Sequence, residues 1–121
     1  MTSTAHDVGA LADFGERCAR RVQVGRHAIV VVRWGDEVYA LRDTCAHQGA
    51  RLSGGTLGHH VIAAEAGAPI VLDPDSRVLR CPWHGWQYDL CTGRSLHASE
   101  RARVRTYPAR VADGRVYVDV G

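Results

Sequence analysis

Residues 27–42 read HAIVVVRWGDEVYALR, and this stretch decides the fold class. His27 to Trp34 is a β-branched apolar run, Gly35-Asp36 is a turn pair, and Val38 to Arg42 is a second short apolar segment. Branched side chains suit a pleated strand, and Gly beside Asp supplies the backbone freedom that a tight connection needs. The expectation is two antiparallel strands. The same grammar extends outward to strands at Ala19 to Val24, Ile70 to Leu72, Val78 to Arg80, Gln87 to Leu90, Ala102 to Tyr107 and Arg115 to Val120. Turn residues punctuate them at Val24-Gly25-Arg26, Asp73-Pro74-Asp75-Ser76, Thr92-Gly93 and Asp113-Gly114. Short strands at close spacing read as an all-β, antiparallel fold. Gly58 to Ala68, with its Ala-rich piece, resists this pattern and is left between a loop, an irregular strand and one helical turn.

The chain has 121 residues, 45% of them apolar, which is one domain's worth and enough for a core without disulfide staples. No internal repeat or linker divides it, so residues 1–121 are expected to form a single domain. The formal net charge is +2, and the basic residues, all Arg, alternate with apolar and acidic ones instead of forming a dense stripe, so a dedicated nucleic-acid binder is not expected. Ala28 to Val32 is the longest aliphatic run, far short of a membrane span, and Met1 to Ala12 lacks the basic and apolar regions of a secretory signal. The expected compartment is the cytoplasm, where four cysteines suggest metal or redox chemistry before disulfides.

Two segments interrupt the strands, Cys45 to Gly55 and Cys81 to Trp86. Cys45-Ala46-His47 and Cys81-Pro82-Trp83-His84 each offer one thiolate and one imidazole at turn spacing. Two such turns facing each other make a four-ligand clamp. Gln48-Gly49 and Gly85 let the backbone curl so that amides can point at sulfur, and Pro82 stiffens the second turn. This Cys2His2 set has two readings: structural zinc, or a 2Fe-2S cluster with two Cys on one iron and two His on the other.

The surrounding residues favour the second. CAHQGARLSGG (45–55) and CPWHGWQYDLCTGR (81–94) resemble the two cluster loops of the Rieske family, Gly35 to Leu41 resembles its strand leading into the first loop, and Val104 to Val118 its closing hairpin. The resemblance implies the Rieske fold, with a cluster-binding part over about 44–92 inserted in a β base. It implies one Rieske-type 2Fe-2S cluster per chain held by Cys45, His47, Cys81 and His84, surrounded by Gln48, Gly49, Pro82, Trp83, Gly85, Trp86 and Tyr88. Ala50 and Trp83 stand where respiratory members carry an extra disulfide-forming pair, so no loop-to-loop disulfide is expected. Trp86 stands where respiratory members have a sulfide-bonding Ser, whereas Tyr88 matches their thiolate-bonding Tyr. Fewer hydrogen bonds to the sulfurs imply a potential toward the low end of the family's range of about −150 to +300 mV. Two departures stand out: a longer segment between the loops, Gly58 to Asp75, and Ser95 to Glu100 in place of a proline-rich third loop.

The implied role is one-electron transfer as a soluble ferredoxin between a flavin-dependent reductase and a terminal oxygenase, an electron carrier and not itself an enzyme. A redox-sensing or accessory subunit and a structural zinc module are the alternatives. Cys18 and Cys91 read as packing or turn residues, and His6, His27 and His97 as surface positions. His59-His60 with Glu65 or Asp73 would be the parts of a mononuclear iron triad, but a surface or interface loop is the commoner role. Arg101, Arg103 and Arg105 alternate along one strand, which reads as a solvated face before an acidic-partner patch. Trp83 and Trp86 flank His84, as shielding for the cluster and part of a docking surface or as plain packing.

Overall fold

The computed structural model describes residues 5–44, 51–63, 66–82, 86–96 and 102–120, with the backbone alone at 62 and 63. The described residues form ten strands: β1 (Ala5–Ala10), β2 (Arg17–Val24), β3 (His27–Trp34), β4 (Glu37–Arg42), β5 (Thr56–Ala63), β6 (Val71–Arg80), β7 (Gln87–Asp89), β8 (Thr106–Tyr107), β9 (Ala109–Ala112) and β10 (Arg115–Asp119). They form three antiparallel sheets, ordered β1-β10-β9, β2-β3-β4-β8 and β5-β6-β7. Among the described residues no helix is long and apolar enough to cross a membrane.

The second sheet is the middle layer, and β3 explains why. Val30, Val32 and Trp34 enter one core with Leu41, Leu52, Leu79, Cys81, Tyr88, Leu90 and Val104. Ile29 and Val31 enter another with Phe14, Val24 and Ala40 and, from the closing strands, Tyr107, Val116 and Val118. Side chains of a strand alternate between faces, so a continuous apolar run is what a strand buried on both faces requires. The turn at Gly35, with φ of 63°, returns the chain from β3 into β4. The sheet of β5, β6 and β7 lies in sequence between β4 and β8, which are hydrogen-bonded neighbours in the middle sheet.

The expected strands at 27–34 and 38–42 are found as β3 and β4, but two expectations need correction. Ile70 to Leu72 and Val78 to Arg80 are not two strands separated by a turn: β6, starting at Val71, takes in Val71-Leu72 and Val78 to Arg80 together. Pairing passes from His60↔Asp73 to Gly58↔Val78, so the extra residues of β6 bulge out. The Asp73 side chain accepts the Asp75 amide at 3.0 Å and its carbonyl accepts the Ser76 hydroxyl at 2.7 Å, so the turn chemistry operates inside the strand. Of the alternatives left for Gly58 to Ala68, the irregular strand is the one found as far as Ala63: it lies in β5, paired with β6 across two register shifts in spite of its weak strand composition. Ala102 to Tyr107 shortens to β8 with an isolated bridge between Arg94 and Arg103.

Candidate functional site

The roots of the two Cys/His loops meet at the first core. Cys45, His47, Gln48, Gly49 and Ala50 lie outside the described residues, as do Trp83, His84 and Gly85. The residues on either side of both segments are described.

The first loop leaves β4 at Asp43 and Thr44 and returns at Arg51 into a 3₁₀ turn, Leu52–Gly54, whose Leu52 is fully buried. Asp43 is the one buried charged residue among those described, at 1% exposure. One carboxylate oxygen accepts the Ser53 amide at 2.6 Å; the other accepts the Ser53 hydroxyl at 2.6 Å and Arg21 Nη1 at 2.9 Å. A buried carboxylate is tolerable only when paired and hydrogen-bonded, and here Arg21 on β2 pairs it while Ser53, on the return side of the segment it precedes, bonds both its oxygens. Sequence reading missed this residue, although an Asp two positions before a candidate ligand and a Ser just beyond the loop were its visible signal.

The second loop leaves β6 at Arg80. Cys81 is 2% exposed and forms no disulfide, and its amide donates to the Trp86 carbonyl at 2.7 Å, which draws the two ends of the loop together. Tyr88, one residue into β7 and opposite Leu79, is fully buried in the same core, and Trp86 packs against that core half-buried. Pro82 is exposed, and a Cβ at Gly54 would lie 3.7 Å from its Cγ, an ordinary contact between the two loops.

Gly55 brings the roots closer still. A Cβ there would fall 1.8 Å from the Arg80 carbonyl oxygen, so only glycine permits this approach, one residue before Cys81. Its φ of −85° is open to any residue, and the requirement is contact alone.

These residues suit a metal cluster bridging two loops: a reduced thiol faces apolar neighbours, and the segments bearing the other Cys and the two His emerge from roots in contact. Elsewhere, His59 Nδ1 lies 2.8 Å from the Ser76 carbonyl and its ring meets Trp34 edge-on, while the His60 amide donates to Ser76 Oγ at 2.6 Å. Among the described residues no three His, Cys, Asp or Glu side chains gather as a mononuclear metal site; Glu65 and His97 lie outside them. Cys18 packs against the second core and Cys91 is exposed in the turn after β7. Of the arginine series, Arg101 lies outside the described residues, and Arg103 and Arg105 are exposed.

A family model described as "Rieske [2Fe-2S] domain" matches residues 4–108. The chain is 34% identical over 116 residues to the anthranilate 1,2-dioxygenase ferredoxin subunit of Burkholderia cepacia, covering 96% of this chain and 92% of that one. Among solved structures, it is similar to the ferredoxin of carbazole 1,9a-dioxygenase from Nocardioides aromaticivorans IC177, with a TM-score of 0.76, 25% identity, and coverage of 96% and 97%. It is also similar to a chain in the complex of reduced oxygenase and oxidised ferredoxin in carbazole 1,9a-dioxygenase, with a TM-score of 0.73, 33% identity, and coverage of 98% and 94%.

Proposed function

Because this chain belongs to the Rieske [2Fe-2S] domain family, we propose that it is a ferredoxin component that carries single electrons from a flavin-dependent reductase to a terminal oxygenase in the cytoplasm. The observation that carries this reading is the near end-to-end match to a dioxygenase ferredoxin subunit, which is itself a carrier and not the oxygenase. One domain, residues 1–121, would hold the cluster-binding part at about 44–92.

We assign Cys45 and Cys81 to one iron and His47 and His84 to the other, with Gln48, Gly49, Pro82, Trp83, Gly85, Trp86 and Tyr88 around them. When bound, the cluster supplies a one-electron couple in which two ferric ions, two sulfides and two thiolates sum to zero charge, so the electron enters a neutral centre. The chain's own part is to hold the ligand loops still. Asp43 pins both sides of the first loop, the Cys81 amide closes the second, and Gly55 presses the two roots together. Leu52, Tyr88 and Leu90 keep water from the Cys81 side. Groups fixed before electron arrival need not rearrange with it.

Electron paramagnetic resonance after dithionite reduction, with iron and acid-labile sulfide assays, tests the reading. The expected spectrum has a lower average g than an all-Cys 2Fe-2S centre, and His47→Cys or His84→Cys moves it toward that type. A silent reduced protein containing stoichiometric zinc and no sulfide would sink the proposal.

A further inference from the structure

Where β4 ends at the root of the first Cys/His segment lies a concavity of about 340 Å³ bounded by Arg26, His27, Arg42, Thr44, Arg105 and Tyr107. Three arginines line it, and among the described residues no acidic residue does. The register Ala40↔Tyr107 and Leu41↔Thr106 continues to Arg42 opposite Arg105, whose carbonyl accepts the Arg42 amide at 2.8 Å. Strand alternation places His27, Arg42 and Arg105 on the face that Ile29, Ala40 and Tyr107 present to the second core, at the end where that core stops. Arg26 reaches the same concavity from the β2–β3 turn.

Like charges directly opposite each other across a strand pair are destabilising. The acid nearest in sequence does not relieve them: the Asp43 side chain is fully buried and engaged with Ser53 and Arg21. Among the described residues, neither Arg26, Arg42 nor Arg105 makes a salt bridge. Arg105 is instead held over the Tyr107 ring at 4.8 Å, and Tyr107 packs edge-on against His27, so the concavity has an ordered aromatic wall.

We propose that this concavity is a docking socket for clustered carboxylates on a protein electron-transfer partner. Thr44 is both part of its lining and the residue before Cys45, so a partner seated there touches the root from which the first Cys/His segment departs. Guanidinium groups suit the recognition of carboxylates by paired hydrogen bonds, and unpaired charges at a rim chiefly guide encounter and fix orientation. The choice of a redox partner rests on the electron-carrier reading; the anion chemistry does not.

The test is calorimetric titration of the cluster-loaded protein with a hexaglutamate peptide and, separately, with inorganic phosphate. The peptide should bind, and its affinity should fall about tenfold between low and moderate salt. Arg42→Gln and Arg105→Gln should each weaken it about tenfold, Arg105→Lys should weaken it less than Arg105→Gln by keeping the charge without the paired bonds, and Arg103→Gln and Arg110→Gln should leave it unchanged. Thermal melts matching the parent show that each variant is folded. Absence of peptide binding, equal losses in all four Gln variants, or phosphate binding as tight as the peptide would overturn the proposal, the last in favour of a small-anion site. Failure of the carrier reading would show separately, as a missing iron–sulfur signal in the same preparation.

Discussion

Two single residues join the loop roots, and each can be tested alone. Gly55→Ala would place a methyl carbon 1.8 Å from the Arg80 carbonyl oxygen, a backbone atom that cannot swing away. We expect a loss of about 3 kcal/mol in urea denaturation of the loaded protein; a change under about 0.5 kcal/mol would show that the approach is not kept in solution. Asp43→Ala strands the Ser53 amide and hydroxyl, whereas Arg21, about a third exposed, can turn to water. The expected loss is about 2 to 3 kcal/mol by the same measurement, and Asp43→Asn should recover part of it, because an amide oxygen can still accept the Ser53 amide. Gly55 was legible only as part of a loop motif. Its steric role depends on Arg80, 25 positions away, which no local pattern encodes.

At the scale of the elements, β6 is riveted to β4 on the outer side of the first core. Arg77 Nη1 donates to Tyr39 Oη at 2.9 Å and also to Glu37, Tyr39 donates to Glu37 Oε2 at 2.7 Å, and the guanidinium groups of Arg17 and Arg77 both approach the Trp34 ring, at 4.2 and 5.3 Å from its centre. Burial, then the bond to Glu37, pushes the Tyr39 phenol up to about 12. Its folded pKa exceeds the ordinary value of 10, so its stabilising contribution is complete below pH 10 and is lost as pH rises through 12. Glu37, held low chiefly by the Tyr39 hydroxyl and then by the Arg77 charge, contributes above 4.5 and loses that contribution as pH falls through its folded value. Tyr39→Phe should remove the phenolate step near pH 12 from an ultraviolet absorbance titration and flatten the alkaline decline in melting temperature. A step that persists in the variant would assign it to another tyrosine. Composition made β3 and β4 readable, since their apolar runs carry their own signal. It hid β5, whose Thr-Leu-Gly-His-His start is held in strand by β6, and β1, whose Asp7 bonds Arg115 on β10.

For the whole molecule, two cores on opposite sides of one sheet predict two responses to loss of the cluster. The second core, around Phe14, Ile29, Tyr107 and Val116, includes none of the assigned ligands, whereas the first contains Cys81. Removing iron with a chelator under reducing conditions should therefore lower amide-exchange protection in β5, β6 and β7 while leaving β9 and β10 largely protected. Uniform loss across all three sheets would show that the cores unfold as one. The sequence by itself determined the all-β class and marked two Cys/His segments as the place to look for metal chemistry, because strand propensity, turn residues and short ligand spacings are local. Only the tertiary structure decided that Asp43 and Ser53 close the first loop, that Gly55 meets Arg80, and that Arg26, Arg42 and Arg105 surround one concavity. These relations join residues far apart in the chain through sheet register and packing, which no single stretch of sequence specifies.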